Sequence, residues 1–158
     1  MEWNAIRVLL ADDNALVRDG LRALLETQPD IRVVGDAACG RDVLRQVQAL
    51  QPDVVLMDVA MPEMGGIEAT QQIRDVYLST QVLMPRVLMV SMHSGTENIF
   101  RALQAGAKGY LLKDSVGSEV VDAVRVVHSG RPYLSHKIAA AAVDSYIAEH
   151  HGEAFKEL

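Results

Sequence analysis

The sequence predicts a doubly wound α/β domain: a five-stranded parallel sheet with helices on both faces and an additional C-terminal helix. Three observations predict it. Five short apolar runs recur along the chain, and segments with helical apolar spacing fall between them. The runs are also apolar almost without interruption, as strands covered on both faces are.

The first run is "IRVLLA" from Ile6, followed by a stripe of Leu16, Val17, Leu21, Leu24 and Leu25. The second, "IRVVGDA" from Ile31, precedes a stripe of Val43, Leu44, Val47 and Leu50. The third, "VVLM" from Val54, precedes a weaker stripe of Ile67, Ala69, Thr70 and Ile73. The fourth, "RVLMVS" from Arg86, is followed by Ile99, Phe100, Leu103 and Ala107. The fifth, "GYLLK" from Gly109, is followed by Val116, Val120, Val124 and Val127. Each stripe has the three-to-four-residue recurrence of an amphipathic helix. The strand starts lie 25, 23, 32 and 23 residues apart. The long interval holds "RDVYLSTQVLMP", which fits an extended third helix or a longer loop, and Pro85 ends any helix there. After Gly130 and Pro132, Ser135 is placed to cap a sixth helix with a stripe of Ile138, Ala142, Val143, Tyr146 and Ile147. This gives residues 1–130 as the domain and 131–158 as a linker helix.

Composition narrows the function classes. With 158 residues and one cysteine, the chain is long enough to need neither disulfide nor metal staple. Cys39 is read as a packing residue, and a chain without a possible internal bridge suits a reducing cytoplasm. The opening "MEWNAIRVLLADD" is not a signal peptide, and no apolar run reaches the ~20 residues of a membrane span. The formal net charge of −6, with basic residues scattered, argues against direct nucleic-acid binding by these residues.

In an open parallel sheet, chemistry gathers beyond the carboxyl ends of the strands. The first strand leads into Asp12 and Asp13, the third into Asp58, the fourth into Ser91 and the fifth into Lys113. The second ends in "DAACG", whose Asp36 reads as a turn opener. Singly, each is explained as a cap or turn residue. Together they bring three carboxylates, a hydroxyl and an ammonium to one edge. Clustered carboxylates repel unless a cation joins them. An all-oxygen donor set suits a hard ion such as Mg2+. A carboxylate beside such an ion can attack phosphorus to give an acyl phosphate, with the ion and a lysine offsetting charge on the phosphoryl oxygens.

The stretches "VLLADDNALVRDGLRALL", "PDVVLMDVAMPEMGGIEATQQIR", "VLMVSMH", "ALQAGAKGYLLKD" and "GRPYLS", spanning about residues 5 to 135, resemble a response-regulator receiver domain of the NarL/FixJ (LuxR-type) family. The resemblance implies a flavodoxin/CheY-like (βα)5 fold. It implies that Asp58 is the phosphoacceptor, that Asp12, Asp13, Asp58 and the Ala60 backbone carbonyl hold Mg2+, and that Lys113 pairs with the phosphoryl group. Ser91 and Tyr110 become the switch pair, with Tyr110 just before the fifth strand; Tyr110 also has a simple packing explanation. Ala60 and His93, each two residues past a site residue, are candidates for tuning acyl-phosphate lifetime, with a solvated loop histidine the alternative for His93. Asp114 stands where many receivers carry proline, as the NarL-type branch often does.

The implied donor is the phosphohistidine of a sensor histidine kinase. The implied output is a rearranged face of fourth helix, fifth strand and fifth helix, with homodimerisation and control of transcription. DNA contact would come only through a C-terminal helix-turn-helix not seen in this sequence. The chain stops at "GEAFKEL", about where that module would begin, so truncation is expected over a natural stand-alone receiver. His150 and His151 read as a solvated helix end and not a metal site. Two other classes stay open. A phosphohydrolase using an aspartyl phosphate would carry an acid where Ala60 stands. A pseudo-receiver acting only as an interaction module would lack some of the site residues that are present here.

Overall fold

The computed structural model describes residues 4–92 and 95–140. The expected alternation holds. Strands β1 (Ile6–Ala11), β2 (Ile31–Ala37), β3 (Val54–Asp58), β4 (Arg86–Ser91) and β5 (Gly109–Leu112) alternate with helices α1 (Ala15–Leu25), α2 (Gly40–Leu50), α3 (Gly66–Leu78), α4 (Thr96–Ala105) and α5 (Val116–His128). A short strand β6 (Tyr133–Leu134) follows, giving one parallel sheet in the order β2-β1-β3-β4-β5-β6. The sheet thus has one strand more than the five expected.

Successive strand residues point to opposite faces, which builds two cores. Val8, Leu10, Val54, Leu56, Leu88, Val90 and Leu111 pack against Leu21 and Leu25 of α1 and Val120, Val124 and Val127 of α5. Leu9, Ala11, Val55, Met57, Val87 and Met89 pack against α2, α3 and α4 through Val43, Val47, Ile73 and Ile99. The central run Val54–Met57 is at most 1% exposed, as a strand covered on both faces must be.

Several local readings are sharpened. The long interval resolves as an extended α3 to Leu78 followed by an irregular segment to Arg86. Leu16 and Phe100, read as stripe members, stand 79% and 50% exposed. Asp36 lies inside β2 opposite Leu10 and opens no turn. Tyr110 lies within β5 and not before it, pairing with Met89 and Leu134.

Residues 131–140 join the fold. Tyr133 and Leu134 pair with Gly109 and Tyr110, and the Ser135 amide donates to the Tyr110 carbonyl at 2.9 Å. Ile138, in the helical segment 136–140, is fully buried beside Tyr110, Leu112 and Ile99. Ser135 does sit at the start of that helical segment, its carbonyl accepting from the Ala139 amide at 2.8 Å. Its hydroxyl, however, donates to Glu119 of α5 at 2.7 Å instead of capping. The Glu119 carboxylate also accepts from the Tyr133 hydroxyl at 2.7 Å and the His136 amide at 3.3 Å. Burial works against its charge, but these three donors prevail and hold its carboxyl below the usual range. Tyr146, His150 and His151 lie outside the described residues.

Candidate functional site

Register brings the predicted residues together. The last paired residues of β1 and β3 are Ala11 and Met57, and one step further come Asp12 and Asp58. Asp58 itself pairs with Val90, the next residue Ser91 pairs with Leu112, and Lys113 follows. Parallel strands cut at one level therefore deliver all of these side chains to a single edge.

The carboxylates of Asp12, Asp13 and Asp58 place oxygens within 4.8 Å of one another. Asp12 and Asp58 are buried and Asp13 is exposed. The Lys113 ammonium lies 2.8 Å from Asp58 Oδ2 and 3.3 Å from Asp12 Oδ2. The Ala60 amide donates to Asp58 Oδ1 at 3.1 Å, so both Asp58 oxygens are held. Burial pushes the Asp58 carboxyl above the ordinary carboxylate range, over the opposing hydrogen bonds from Lys113 and Ala60; the Asp12 charge adds to the rise. Burial alone would favour a neutral Lys113, but Asp58 and Asp12 outweigh it and hold the ammonium above its usual value. The site is thus charge-poor: one ammonium faces three acids, two of them nearly sealed from water.

Ser91 and Tyr110 are 2% and 0% exposed. Burial raises the Tyr110 phenol, Ser91 hydrogen-bonds it, and the charge of Asp58 reaches it. The hydroxyl of Tyr110 is therefore oriented toward the acidic edge, while its backbone carries the β6 segment. His93 lies outside the described residues.

Backbone chemistry explains why the loops hold these positions. Asn14 caps α1, its side chain accepting from the Leu16 and Val17 amides at 2.9 and 3.4 Å. After Asp58 the chain doubles back: the Val59 amide donates to Val90 at 2.9 Å and the Gly66 amide returns to the Val59 carbonyl at 2.8 Å. A Cβ at Gly66 would overlap the Asp58 carbonyl oxygen, so the second glycine of the pair is required by close approach. The Met64 carbonyl accepts from the Gly40 amide at 3.0 Å, bracing this loop on the start of α2.

One residue of this framework was missed in the sequence. Arg18 of α1 donates from Nη1 to the Asp12 carbonyl at 2.6 Å and lies 3.6 Å through Nε from Asp36. Its position four residues after the capping Asn14, on the turn facing the loop, was the available signal.

What the edge can do follows from its donor set. Oxygen ligands alone, two of them buried and one open to solvent, fit a hard divalent cation and leave an approach for a second ligand.

Comparison with known proteins agrees with this geometry. The family model described as "Response regulator receiver domain" matches residues 8–125, a span that includes Asp12, Asp13, Asp58, Ser91 and Lys113. The transcriptional regulatory protein LiaR of Bacillus subtilis (strain 168) is 40% identical over 148 residues, covering 94% of this chain and 67% of that protein. The response regulator UvrY of Escherichia coli (strain K12) is 42% identical over 134 residues, covering 85% of this chain. The chain spans 59% of the length of that second relative. Among solved structures, a two-component response regulator of the LuxR family from Aurantimonas sp. SI85-9A1 superposes with a TM-score of 0.83 at 36% identity, covering 90% of this chain and 99% of that one. The signal receiver domain of the putative response regulator NarL from Mycobacterium tuberculosis gives 0.74 at 37% identity, covering 81% and 99%. The chain belongs to the response-regulator receiver family, among relatives of the LuxR/NarL type.

Proposed function

We propose that Asp58 accepts a phosphoryl group from the phosphohistidine of a sensor kinase, in a site that holds Mg2+. The observation that carries this reading is the single cluster of Asp12, Asp13 and Asp58 with Lys113 bonded to Asp58. An Asp58 oxygen attacks phosphorus as the phosphorus–nitrogen bond breaks, and the electron pair leaves with the imidazole. The carboxylates of Asp12, Asp13 and Asp58 and the carbonyl of Ala60 are the metal donors in this reading. Mg2+ would neutralise phosphoryl oxygens during transfer.

The protein's own groups do the rest. Lys113 is already within 2.8 Å of the acceptor and supplies a fixed positive charge to the phosphoryl oxygens. Ser91 offers a hydroxyl from the neighbouring strand end, and withdrawing it toward the phosphoryl group would release its bond to Tyr110. That exchange is the switch. Since Tyr110 backs onto β6 and Ile138, its movement would be felt in the segment 131–140. Ala60 and His93 are the positions from which acyl-phosphate lifetime would be tuned.

By likeness to relatives named as transcriptional regulators, the output of the whole protein is read as control of transcription. Residues 131–158 would lead toward a DNA-binding module. A homodimer and a cytoplasmic location fit this role. No helix among the described residues is long and apolar enough to cross a membrane.

The test is labelling with a small-molecule phosphodonor and Mg2+, read by intact mass. Wild type gains one phosphoryl group, and Asp58→Asn gains none. Labelling of Asp58→Asn at the wild-type rate would refute the assignment.

A further inference from the structure

We propose that Arg18 is a positioning residue for the carboxylate cluster, acting through the Asp12–Asp13 peptide; the proposal rests on the phosphoryl-acceptor reading above. Asp13 is the weak point of that cluster. It is exposed, and among the described residues its carboxylate has no hydrogen-bond or ion-pair partner. Asp12, by contrast, is tied at Oδ1 by the Asn14 amide at 2.9 Å and at Oδ2 by Lys113. Whether Asp13 points into the cluster therefore depends on its backbone.

Three successive peptide planes set that backbone, the last of them Asp13–Asn14, whose Asn14 amide is the donor to Asp12 Oδ1. The Ala11–Asp12 plane is fixed by the Asp12 amide, which donates to the Ala37 carbonyl at 3.0 Å. The Asp12–Asp13 plane is fixed by the Asp12 carbonyl, which accepts from Arg18 Nη1 at 2.6 Å. Releasing that carbonyl leaves the Asp13 Cα–Cβ direction held from one side, by the Asn14 amide.

The guanidinium is itself held. Its side chain is 18% exposed, it pairs with Asp36 at 3.6 Å, and Arg22 reaches the same carboxylate at 3.4 Å. Its Nε is buried without a hydrogen-bond partner, so the arginine is kept in place by the Asp12 carbonyl and by charge. Asp36, in β2, which sends no side chain into the cluster, acts here as a counter-ion. A planar, forked donor holds a carbonyl and a carboxylate from separate nitrogens in fixed geometry, where a lysine offers a single, freely rotating ammonium.

Two effects of removing Arg18 have opposite signs. Losing a nearby cation would tighten binding of a divalent metal, and losing the clamp would weaken it. Outer partners that orient metal ligands typically contribute about 10- to 100-fold in affinity. Here the Asp36 carboxylate already offsets the arginine's charge, so positioning dominates.

The experiment titrates Mg2+ onto wild type, Arg18→Gln, Arg18→Lys and Asp36→Asn by calorimetry. It also measures amide hydrogen exchange of Asp12 and Asn14 in the metal-free proteins. We expect Arg18→Gln to bind Mg2+ about 10-fold more weakly, with Arg18→Lys and Asp36→Asn in between. Phosphoryl labelling of Arg18→Gln should recover at saturating Mg2+, and its two loop amides should exchange faster than wild type. Unchanged or tighter Mg2+ binding by Arg18→Gln overturns the proposal, as do unchanged amides. If Arg18→Gln does not fold, the same comparison is decided on Arg18→Lys and Asp36→Asn. A wild type that binds no Mg2+ sinks the acceptor reading instead, and the exchange comparison still decides whether Arg18 holds the loop.

Discussion

Replacing Ile138 by alanine tests whether the segment after α5 is part of the folded domain or a passing linker. The side chain is fully buried in the cluster that also contains Tyr110, Leu112 and Ile99. Ile→Ala removes three carbon atoms from a packed interior and leaves a cavity, a change that costs about 2–5 kcal/mol. A value near 3 kcal/mol corresponds to a fall in Tm of roughly 6–12 °C for a domain of this size. The internal control is Lys137→Ala, one residue away. Lys137 is 68% exposed on its side chain and pairs with Asp114 at 3.2 Å, and an exposed pair of this kind contributes at most about 1 kcal/mol. The assay is thermal and urea unfolding of both variants, checking that the urea m-value is unchanged so that the loss is one of stability. If Ile138→Ala lost no more than Lys137→Ala, the 131–140 segment would not be docked as described, and the route from Tyr110 to it would have no physical basis.

Two further outcomes follow from the site. Asp58 is held protonated more strongly in the folded protein than in the unfolded chain, so stability falls as pH rises from the ordinary carboxylate range through its raised value. Asp58→Asn should therefore raise the Tm of the metal-free protein at neutral pH and flatten that pH dependence, and added Mg2+ should stabilise wild type more than the variant; a lowered Tm in metal-free Asp58→Asn would contradict the charge-poor description. Gly66→Ala should destabilise by about 1–3 kcal/mol or more through overlap with the Asp58 carbonyl, and it should slow phosphoryl labelling at equal Mg2+, because the displaced atom belongs to the proposed acceptor residue; wild-type rates with a lowered Tm would confine the glycine to a structural role.

The sheet was legible because strands buried on both faces leave long apolar runs, and Val54–Met57 is the clearest example. The site was legible because parallel strands end at one level, so residues following each run had to meet. The rest was hidden for reasons of scale and sign. Strand β6 is two residues long, too short for any period to register. Glu119 sits in a stretch, "VGSEVVDAV", where an acid reads as helix surface; its burial depends on donors from residues 133–136 that no local pattern announces. Asp36 looked like a turn opener because its partner arginines, Arg18 and Arg22, lie on the preceding helix α1, beyond the reach of a local pattern. The extension of α3 to Leu78 could not be separated from a loop, since Val76, Leu78, Val82 and Leu83 remain 49–74% exposed and follow no core stripe.

Strand β6 also bears on how the molecule keeps to itself in concentrated solution. An open sheet has two margins, and a margin with free amides and carbonyls invites strands from other chains. One margin here is β2, which carries charged residues and a register slip against β1 between Val8 and Leu9. The other would have been β5, whose four residues Gly109–Leu112 are all buried and apolar or glycine. The Tyr133–Leu134 pair is laid over that strand like a hem. A chain cut before Tyr133 would bare a greasy template four residues long, and its first symptom would be aggregation on storage at high concentration.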